Sequence, residues 1–230
     1  MNQVFWGDIH NHNEIGYAQG TLERSFRLAR NTLDFYAFTA HGWWTDVPQN
    51  DEGIRRHHEA GFAKVKARWP EVARTVAEQN TPGEFVVFPA WEWHSLKWGD
   101  YCVYFPDDQA ELHYAGTLDD LKGLARRTGA VLIPHHPAYR LGWRGLDWDQ
   151  LDPEVSPVVE VFSEHGNSLE ATSPWGMYNH SMGGSDRSQS GLEQLRRGRR
   201  FGLLASSDDH FGYPGGFGLG LTAVLTDALT

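Results

Sequence analysis

The chain has 230 residues, of which 40% are hydrophobic and 22% charged, and this composition suits one globular domain with a sizeable core. Thirty acidic and twenty basic residues give a net charge of −10, which disfavours broad binding to nucleic acid backbones. No apolar run is long enough to span a membrane and no signal segment precedes the first predicted strand, so we expect a soluble, cytoplasmic protein.

The first predicted strand, residues 4–6, runs into Gly7-Asp8-Ile9-His10-Asn11-His12. Side chains two positions apart in an extended backbone point the same way, so His10 and His12 can offer two imidazoles to one metal ion. Thr21 then caps a predicted helix that reaches about residue 31. A second strand, 35–39, ends just before His41.

Residues 52–69 and 71–79 are predicted to form two helices, because apolar residues recur at helical spacing on both sides of Pro70. His57 and His58 lie on the first of these helices, away from any strand end, and are not assigned to the site.

A third strand, 85–90, is followed by Glu92, and a short turn through Asp100 leads into a fourth strand, 101–105. A connection this short predicts an antiparallel return, which would bring Asp100 near Glu92. The fourth strand also contains Cys102, and a single cysteine excludes an internal disulfide and a thiolate metal cage. We expect this cysteine to be buried in the core, and any metal ion to be held by histidine and carboxylate.

The next helix begins near Thr117 and ends at Gly129. The strand 130–134 follows, and it ends at His135-His136. A further buried strand, 158–162, is followed by Glu164 and His165, which belong either to the rim of the site or to the structure around it.

Residues 167–189 are rich in glycine, serine and asparagine with no clear period, as is typical of lids and binding loops. A capping box at Ser190 predicts a short helix. Strand 201–206 then leads to Asp208-Asp209-His210, and the last strand is 221–225. Since no helix follows to cover that strand, we expect either a partner to cover it or a C-terminal part to be missing from this single 1–230 domain.

Strands that alternate with helices indicate a parallel-rich α/β barrel or sheet, in which working residues collect at the carboxyl ends of the strands. Imidazole combined with carboxylate favours Zn, Mn or Fe over Mg or Ca, and the number of ligands favours more than one ion, which a carboxylate can bridge. The candidate ligands at these strand ends are His10, His12, His41, Glu92, Asp100, His135, His136, Asp208 and His210.

Several of these motifs, taken in order, resemble those of the PHP (polymerase and histidinol phosphatase) superfamily of metal-dependent phosphoesterases. The resemblance extends from about residue 4 to residue 210 and is greatest to a PHP-like branch of unassigned function. It implies a distorted (β/α)7 TIM-like barrel with two or three divalent ions of Zn, Mn or Fe. The motifs are Gly7-Asp8-Ile9-His10-Asn11-His12, Phe38-Thr39-Ala40-His41, Glu92, Pro134-His135-His136-Pro137 and Ser207-Asp208-Asp209-His210.

The resemblance also implies ligand roles. A first ion would be held by His10, His12, Glu92 and Asp208. Glu92 would bridge to a second ion, which His136 also holds.

His41 and His210 would hold a third ion. Two positions depart from the family pattern: Asp100 stands where the family often has histidine, and Ala18 stands where a further histidine or aspartate is usual. The third ion therefore loses a ligand unless Glu14 replaces it.

The implied activity is hydrolysis of a small phosphate ester by a di- or trinuclear metal site with metal-bound hydroxide. Glu92 and Asp208 would be the catalytic ligands. Arg140, four residues after His136, is predicted to bind a phosphate oxygen, with an ordinary surface arginine as the alternative. We expect a small-molecule substrate in preference to an extended nucleic acid, although short oligonucleotides remain an alternative; the oligomeric state is left open.

Two other functions are consistent with part of this pattern. Amidohydrolases also begin with His-x-His and attack carbon, but they typically use a bridging modified lysine, and here Glu92 occupies the bridging position. A non-catalytic metal- or ligand-binding module would hold metal tightly and hydrolyse no ester.

Overall fold

The computed structural model describes residues 2–107, 110–178 and 183–230 as a mixed α/β protein. The strands are β1 (Gln3–Asp8), β2 (Phe35–Tyr36), β3 (Thr39–Trp44), β4 (Val86–Val87), β5 (Ala90–His94), β6 (Tyr101–Tyr104), β7 (Val131–Pro134), β8 (Val158–Ser163), β9 (Gly166–Asn167), β10 (Gly202–Ala205) and β11 (Thr222–Thr226). The α-helices are α1 (Leu22–Thr32), α2 (Glu52–Gln79), α3 (Leu118–Thr128) and α4 (Gly191–Arg196), and short 3-10 helices form at Trp148–Gln150 and Arg187–Gln189.

The strands are hydrogen-bonded into three sheets, ordered β11-β1-β2-β4, β10-β8-β9 and β3-β5-β6-β7. Neighbours pair in parallel from β1 through β2 to β4, between β3 and β5, and between β10 and β8. The α/β class predicted from the sequence is therefore confirmed. Among the described residues, however, strand pairing does not close the three sheets into one ring.

The predicted antiparallel return is confirmed, since β6 pairs antiparallel with both β5 and β7. This register places the start of β6 at the same edge as the ends of β5 and β7. Asp100 therefore lies at the edge where Glu92 and His135 emerge.

Two predicted strands are divided in the structure. The strand predicted at 35–39 is β2 followed by β3, and the one predicted at 85–90 is β4 followed by β5. Each chain segment leaves one sheet after two residues and continues in another, so His41 and Glu92 lie within β3 and β5 and not after them.

Helices α1 and α3 begin as predicted, because the hydroxyls of Thr21 and Thr117 accept the backbone N–H three residues later. The prediction of two helices around Pro70 is wrong, since α2 continues through it. Proline removes one helical hydrogen bond, but side chains buried on both sides of it keep the segment helical. Ser190 precedes α4, yet its side chain makes no capping hydrogen bond.

A shared apolar core lies beneath the strand ends. It contains Cys102, as predicted, together with Ile9, Phe35, Ala37, Val86, Ala90, Tyr104 and Ile133. These side chains come from both four-stranded sheets, so burial of apolar area holds the sheets against each other although their hydrogen bonding is separate.

The last strand, β11, pairs antiparallel with β1 from Gln3↔Thr226 to Gly7↔Thr222. Leu225 in this strand is 64% exposed, so the described part of the chain leaves the face of β11 that carries Leu225 uncovered. Of the predicted loop at 167–189, residues 179–182 lie outside the described residues. No helix in the described ranges is long and apolar enough to cross a bilayer.

Candidate metal centre

The ends of β1 and β10 are joined by backbone hydrogen bonds that set the position of the first ligand group. The amide of Asp208 donates to the carbonyl of His10 at 2.7 Å, and the amide of His12 donates to that of Asp209 at 2.9 Å. The His-x-His segment and the aspartate from the far end of the chain are thus held side by side.

His10, His12 and Asp208 form a compact buried group. Asp208 Oδ1 lies 3.3 Å from His10 Nε2 and 2.9 Å from His12 Nε2, and the two Nε2 atoms are 3.2 Å apart. Two nitrogens that each lie about 2.0–2.1 Å from one tetrahedral ion are about 3.3 Å apart. The spacing therefore suits three ligands of a single ion.

Glu92 lies between this group and further histidines. Its Oε2 atom is 3.6 Å from both His12 Nε2 and His41 Nε2. Its Oε1 atom is 2.7 Å from His135 Nε2 and 3.4 Å from His94 Nδ1. The two oxygens face different groups of imidazoles, which is the arrangement that a bridging carboxylate requires.

His41 and His210 face each other on another side of His12. Their Nε2 atoms are 3.2 Å apart, and the three histidines offer ring nitrogens within 4.8 Å of one another. Glu164, for which the sequence left a rim role and a structural role open, lies with Oε1 2.8 Å from Nδ1 of His210. This contact orients the imidazole so that Nε2 points into the group.

Asp100 joins the cluster from the start of β6. Its Oδ2 atom is 3.3 Å from His94 Nδ1 and 3.3 Å from His136 Nε2. Arg144 Nε also donates to this oxygen, at 2.6 Å. All nine candidate ligands named from the sequence are thus brought to one region, in which His210 alone is half-buried and the others are buried, but an arginine accompanies one of them.

Three contributors were not assigned from the sequence: His94, Glu160 and Arg144. His94 stands two positions after Glu92 on β5, the same alternation that marks His10 and His12, so this signal was present. His135 could not be separated from its neighbour His136 by sequence.

Glu160 is a lone acidic residue in the apolar strand β8. Both of its carboxylate oxygens lie 3.1 Å from Nδ1 of His10. A charged residue in a buried strand requires a partner, and that requirement was the signal that the sequence offered.

Other predicted candidates lie farther from the ligands. Arg140 is exposed and its backbone amide donates to Gly184, so its predicted phosphate contact stays a prediction. The carboxylate of Glu14 accepts from Arg68 at 3.2 Å and belongs to none of the ligand groups described above. His165, by contrast, reaches the site, with Nε2 3.1 Å from Asp208 Oδ2.

Backbone strain is concentrated at the centre. Among the described residues, the non-glycine residues with positive φ are His136 at 36°, Asp208 at 54° and Arg144 at 69°. Each such conformation costs about 1–3 kcal/mol and persists where surrounding structure enforces it. All three belong to the ligand cluster, which is where a functional constraint is expected.

Burial sets the protonation states of the ligands. It lowers the pKa of His12, His41 and His135 well below the ordinary histidine value, and that of His136 to about 4. Burial alone would raise the pKa of Asp208, but nearby His10 and hydrogen bonds hold it well below its usual range. Neutral imidazoles and an ionised carboxylate are the forms that bind metal. Against the effect of burial, the Asp208 carboxylate raises the pKa of His10 and the Glu164 carboxylate raises that of His210 to about 9, so these two histidines must release a proton to bind an ion.

A buried carboxylate oxygen of Glu92 that lacks a hydrogen-bond partner indicates whether a metal ion fits the site. Glu92 is 2% exposed, and within the described chain its Oε2 has no hydrogen-bond donor. A buried carboxylate oxygen without a partner is costly, whereas a cation beside it would remove that cost. The ring nitrogens of His12 and His41 flank this oxygen, so the residues present fit a divalent ion with nitrogen and oxygen ligands.

No protein-family model matches the chain, and no curated protein matches it. Its fold is similar to that of PsfC from Pseudomonas syringae PB-5123, with a TM-score of 0.56, 16% identity, and coverage of 94% of this chain and 80% of that one. At this identity the likeness concerns the fold alone.

Other similar structures include a two-domain protein from Bacteroides vulgatus ATCC 8482 that contains a predicted PHP-like metal-dependent phosphoesterase, with a TM-score of 0.46, 13% identity and 92% of this chain covered. Endonuclease Q, in complex with a 27-mer duplex bearing an abasic lesion, has a TM-score of 0.49, 10% identity and 91% of this chain covered. The chain spans about half the length of these two, 53% and 50%.

Proposed function

We propose that this protein is a metal-dependent hydrolase, and specifically a phosphoesterase that acts on a small phosphate ester. The observation that carries the proposal is the buried convergence of imidazole nitrogens and carboxylate oxygens around Glu92, whose Oε2 has no donor in the described chain. A purely structural cluster would be expected to satisfy that oxygen.

The ligands would be divided between two neighbouring ions. His10, His12 and Asp208 would hold one, and the carboxylate of Glu92 would link it to the second. The remaining ligands would come from His41, His135 and His210. When bound, Zn, Mn or Fe ions of this kind polarise a phosphoryl oxygen and activate water at neutral pH.

The protein's own residues would orient these ligands. Glu160 accepts from Nδ1 of His10 and Glu164 contacts Nδ1 of His210, and each contact leaves Nε2 directed into the cluster. We also propose that the sheets form the distorted barrel of the PHP type, since the isolated bridge between Asn11 and Asp209 joins β1 and β10 beyond their own sheets.

The decisive experiment is elemental analysis of protein purified without added metal, with the variants His10→Ala and Asp208→Ala. We expect about two equivalents of Zn, Mn or Fe in the wild type and a loss in both variants. His57→Ala is the matched control, because His57 is exposed on α2 and should leave metal content unchanged.

The same proteins would be assayed on phosphomonoesters, phosphodiesters, short oligonucleotides and carboxylic esters. The two ligand variants should lose phosphoesterase activity by more than about 100-fold, since changes to ligand-orienting groups alone cost about 10–100-fold. Absence of metal after reconstitution with Mn and Zn would refute the proposal. Bound metal without hydrolysis of any ester would favour a binding module.

A further inference from the structure

Arg144 is an arginine inside the ligand cluster. Its side chain is 13% exposed. Nε donates to Asp100 Oδ2 at 2.6 Å, Nη2 contacts the same oxygen, and Nη2 lies 2.9 Å from His94 Nδ1. The guanidinium therefore places a fixed positive charge on a carboxylate at the edge of the candidate metal centre.

The backbone on either side of the contact between Arg144 and Asp100 is tightly packed, and this packing holds the guanidinium beside the carboxylate. A Cβ at Gly145 would lie 1.9 Å from the carbonyl oxygen of Tyr139, and a Cβ at Gly99 would lie 2.9 Å from Leu146 Cα. Glycine at 145 lets the loop fold back on its own backbone, and glycine at 99 lets the loop pack tightly against the turn before β6. Together with the φ of 69° at Arg144, this close approach indicates a built contact and not a chance surface pair.

Asp100 also belongs to a potential metal site. Asp100, His135 and His136 offer ligand atoms within 4.8 Å of one another, and all three side chains are buried. A divalent ion among these atoms would lie within a few ångströms of the guanidinium, and like charges repel strongly in a buried environment. The guanidinium and a metal ion therefore compete for the same carboxylate.

We propose that Arg144 is a built-in cation that excludes a metal ion from the group formed by Asp100, His135 and His136. Metal binding is then confined to the ligands around Glu92 and Asp208. His135 remains available to that part of the centre through its 2.7 Å contact with Glu92. This inference rests on the proposed function, because it concerns how many ions the same centre holds.

The test is metal stoichiometry by elemental analysis after saturation with Zn or Mn and removal of free ion. Arg144→Met removes the charge and keeps much of the bulk, and we expect it to gain about one equivalent over the wild type. The double variant Arg144→Met with Asp100→Asn should show no gain, since the carboxylate ligand is lost. Arg127→Met is the control, because Arg127 is exposed on α3, and it should equal the wild type.

A single variant, Asp100→Asn, keeps the inference falsifiable if Arg144→Met does not fold. We expect its metal content to match the wild type, because in the wild type Asp100 binds the Arg144 guanidinium and no metal ion. A loss of about one equivalent in Asp100→Asn would identify Asp100 as a ligand and overturn the inference. An unchanged content in folded Arg144→Met would overturn it too, whereas a wild type with no metal would refute the proposed function itself.

Discussion

Glu160 lies outside the candidate ligand groups, but its contact with His10 can change the affinity of the centre for a metal ion. It is 1% exposed, and both of its oxygens lie 3.1 Å from Nδ1 of His10. A proton shared between Nδ1 and the Glu160 carboxylate fixes the tautomer of His10 and leaves the lone pair on Nε2. The negative charge of the carboxylate also makes the imidazole a better donor to a cation.

We therefore expect Glu160→Gln to weaken metal binding by about 10-fold or more while the fold is retained, because the amide oxygen can still accept the hydrogen bond without the charge. The dissociation constant would be measured by competition with a chromophoric chelator. Glu154→Gln is the control, since Glu154 is exposed and pairs with Arg126 at the surface. Equal affinity in wild type and Glu160→Gln would refute this role.

At the level of single residues, sequence reasoning predicted the candidate ligands that strand alternation and strand ends indicate. His10 and His12 are two positions apart in an extended segment, and Asp208 comes three residues after the end of β10. Arg144 could not be found in this way, because its position depends on a tight loop contact between residues distant from any motif. Sequence reasoning selected Arg140 as the phosphate-binding arginine because it comes four residues after His136, but Arg140 is exposed.

At the level of elements, helix α2 packs against a ring that contacts the candidate metal centre. The Tyr17 ring stacks on His41 with centroids 3.8 Å apart, and the His58 ring on α2 meets Tyr17 edge-on at 4.7 Å. His58 Nδ1 lies 2.8 Å from the carbonyl oxygen of Ile54, to which it can donate. His58 thus packs in a row of aromatic rings beside a candidate ligand, although its position on a helix away from any strand end did not predict this.

Burial lowers the pKa of His58 from its usual value of 6.5 to about 4. Between pH 6.5 and 4 the unfolded chain binds a proton at His58 that the folded protein does not, so the free energy of unfolding falls as the pH drops through this window. We expect His58→Gln to show a weaker loss of stability over that range, measured by urea unfolding at pH 4.5, 5.5 and 6.5.

His57→Gln provides the comparison, since His57 lies next to His58 on α2 and is exposed. A pH dependence in His58→Gln as steep as that of the wild type would show that His58 contributes nothing to the acid sensitivity of the fold.

The lengths of the elements were harder to predict than their order. Helix α2 runs through Pro70 because tertiary contacts outweigh one missing hydrogen bond. Strands β2 and β4 have two residues each before the chain changes sheets, and a short apolar run carries no mark of that change. Only contacts between distant segments decide where such a strand ends.

At the level of the whole molecule, the candidate centre joins three sheets that strand pairing leaves separate. His10 and His12 extend β1, Asp208 follows β10, and Glu92 lies in β5, so each sheet contributes ligands. The α/β class could be predicted from the alternation of elements, but the division into three sheets could not, because it depends on pairing between segments far apart in sequence.

An ion held by all three sheets should stabilise the folded state, since the ligands are brought together only after folding. With free metal at 1,000 times the dissociation constant, one site contributes about 4 kcal/mol to the free energy of unfolding. For a chain of this size that corresponds to a rise in Tm of about 8–16 °C. We therefore expect chelation to lower the Tm by roughly 10 °C, and Zn or Mn to restore it.

Calorimetry with and without chelator would measure this shift, and magnesium provides a control because it prefers all-oxygen ligands and should restore little of the lost Tm. His10→Ala should show a much smaller response, since it removes a ligand that lies at the junction of β1 and β10. If the wild type unfolds at the same temperature before and after chelation, the apolar core and the hydrogen bonds between β1 and β10 hold the sheets together without a metal ion, and the clustered histidines contribute no metal-linked stability.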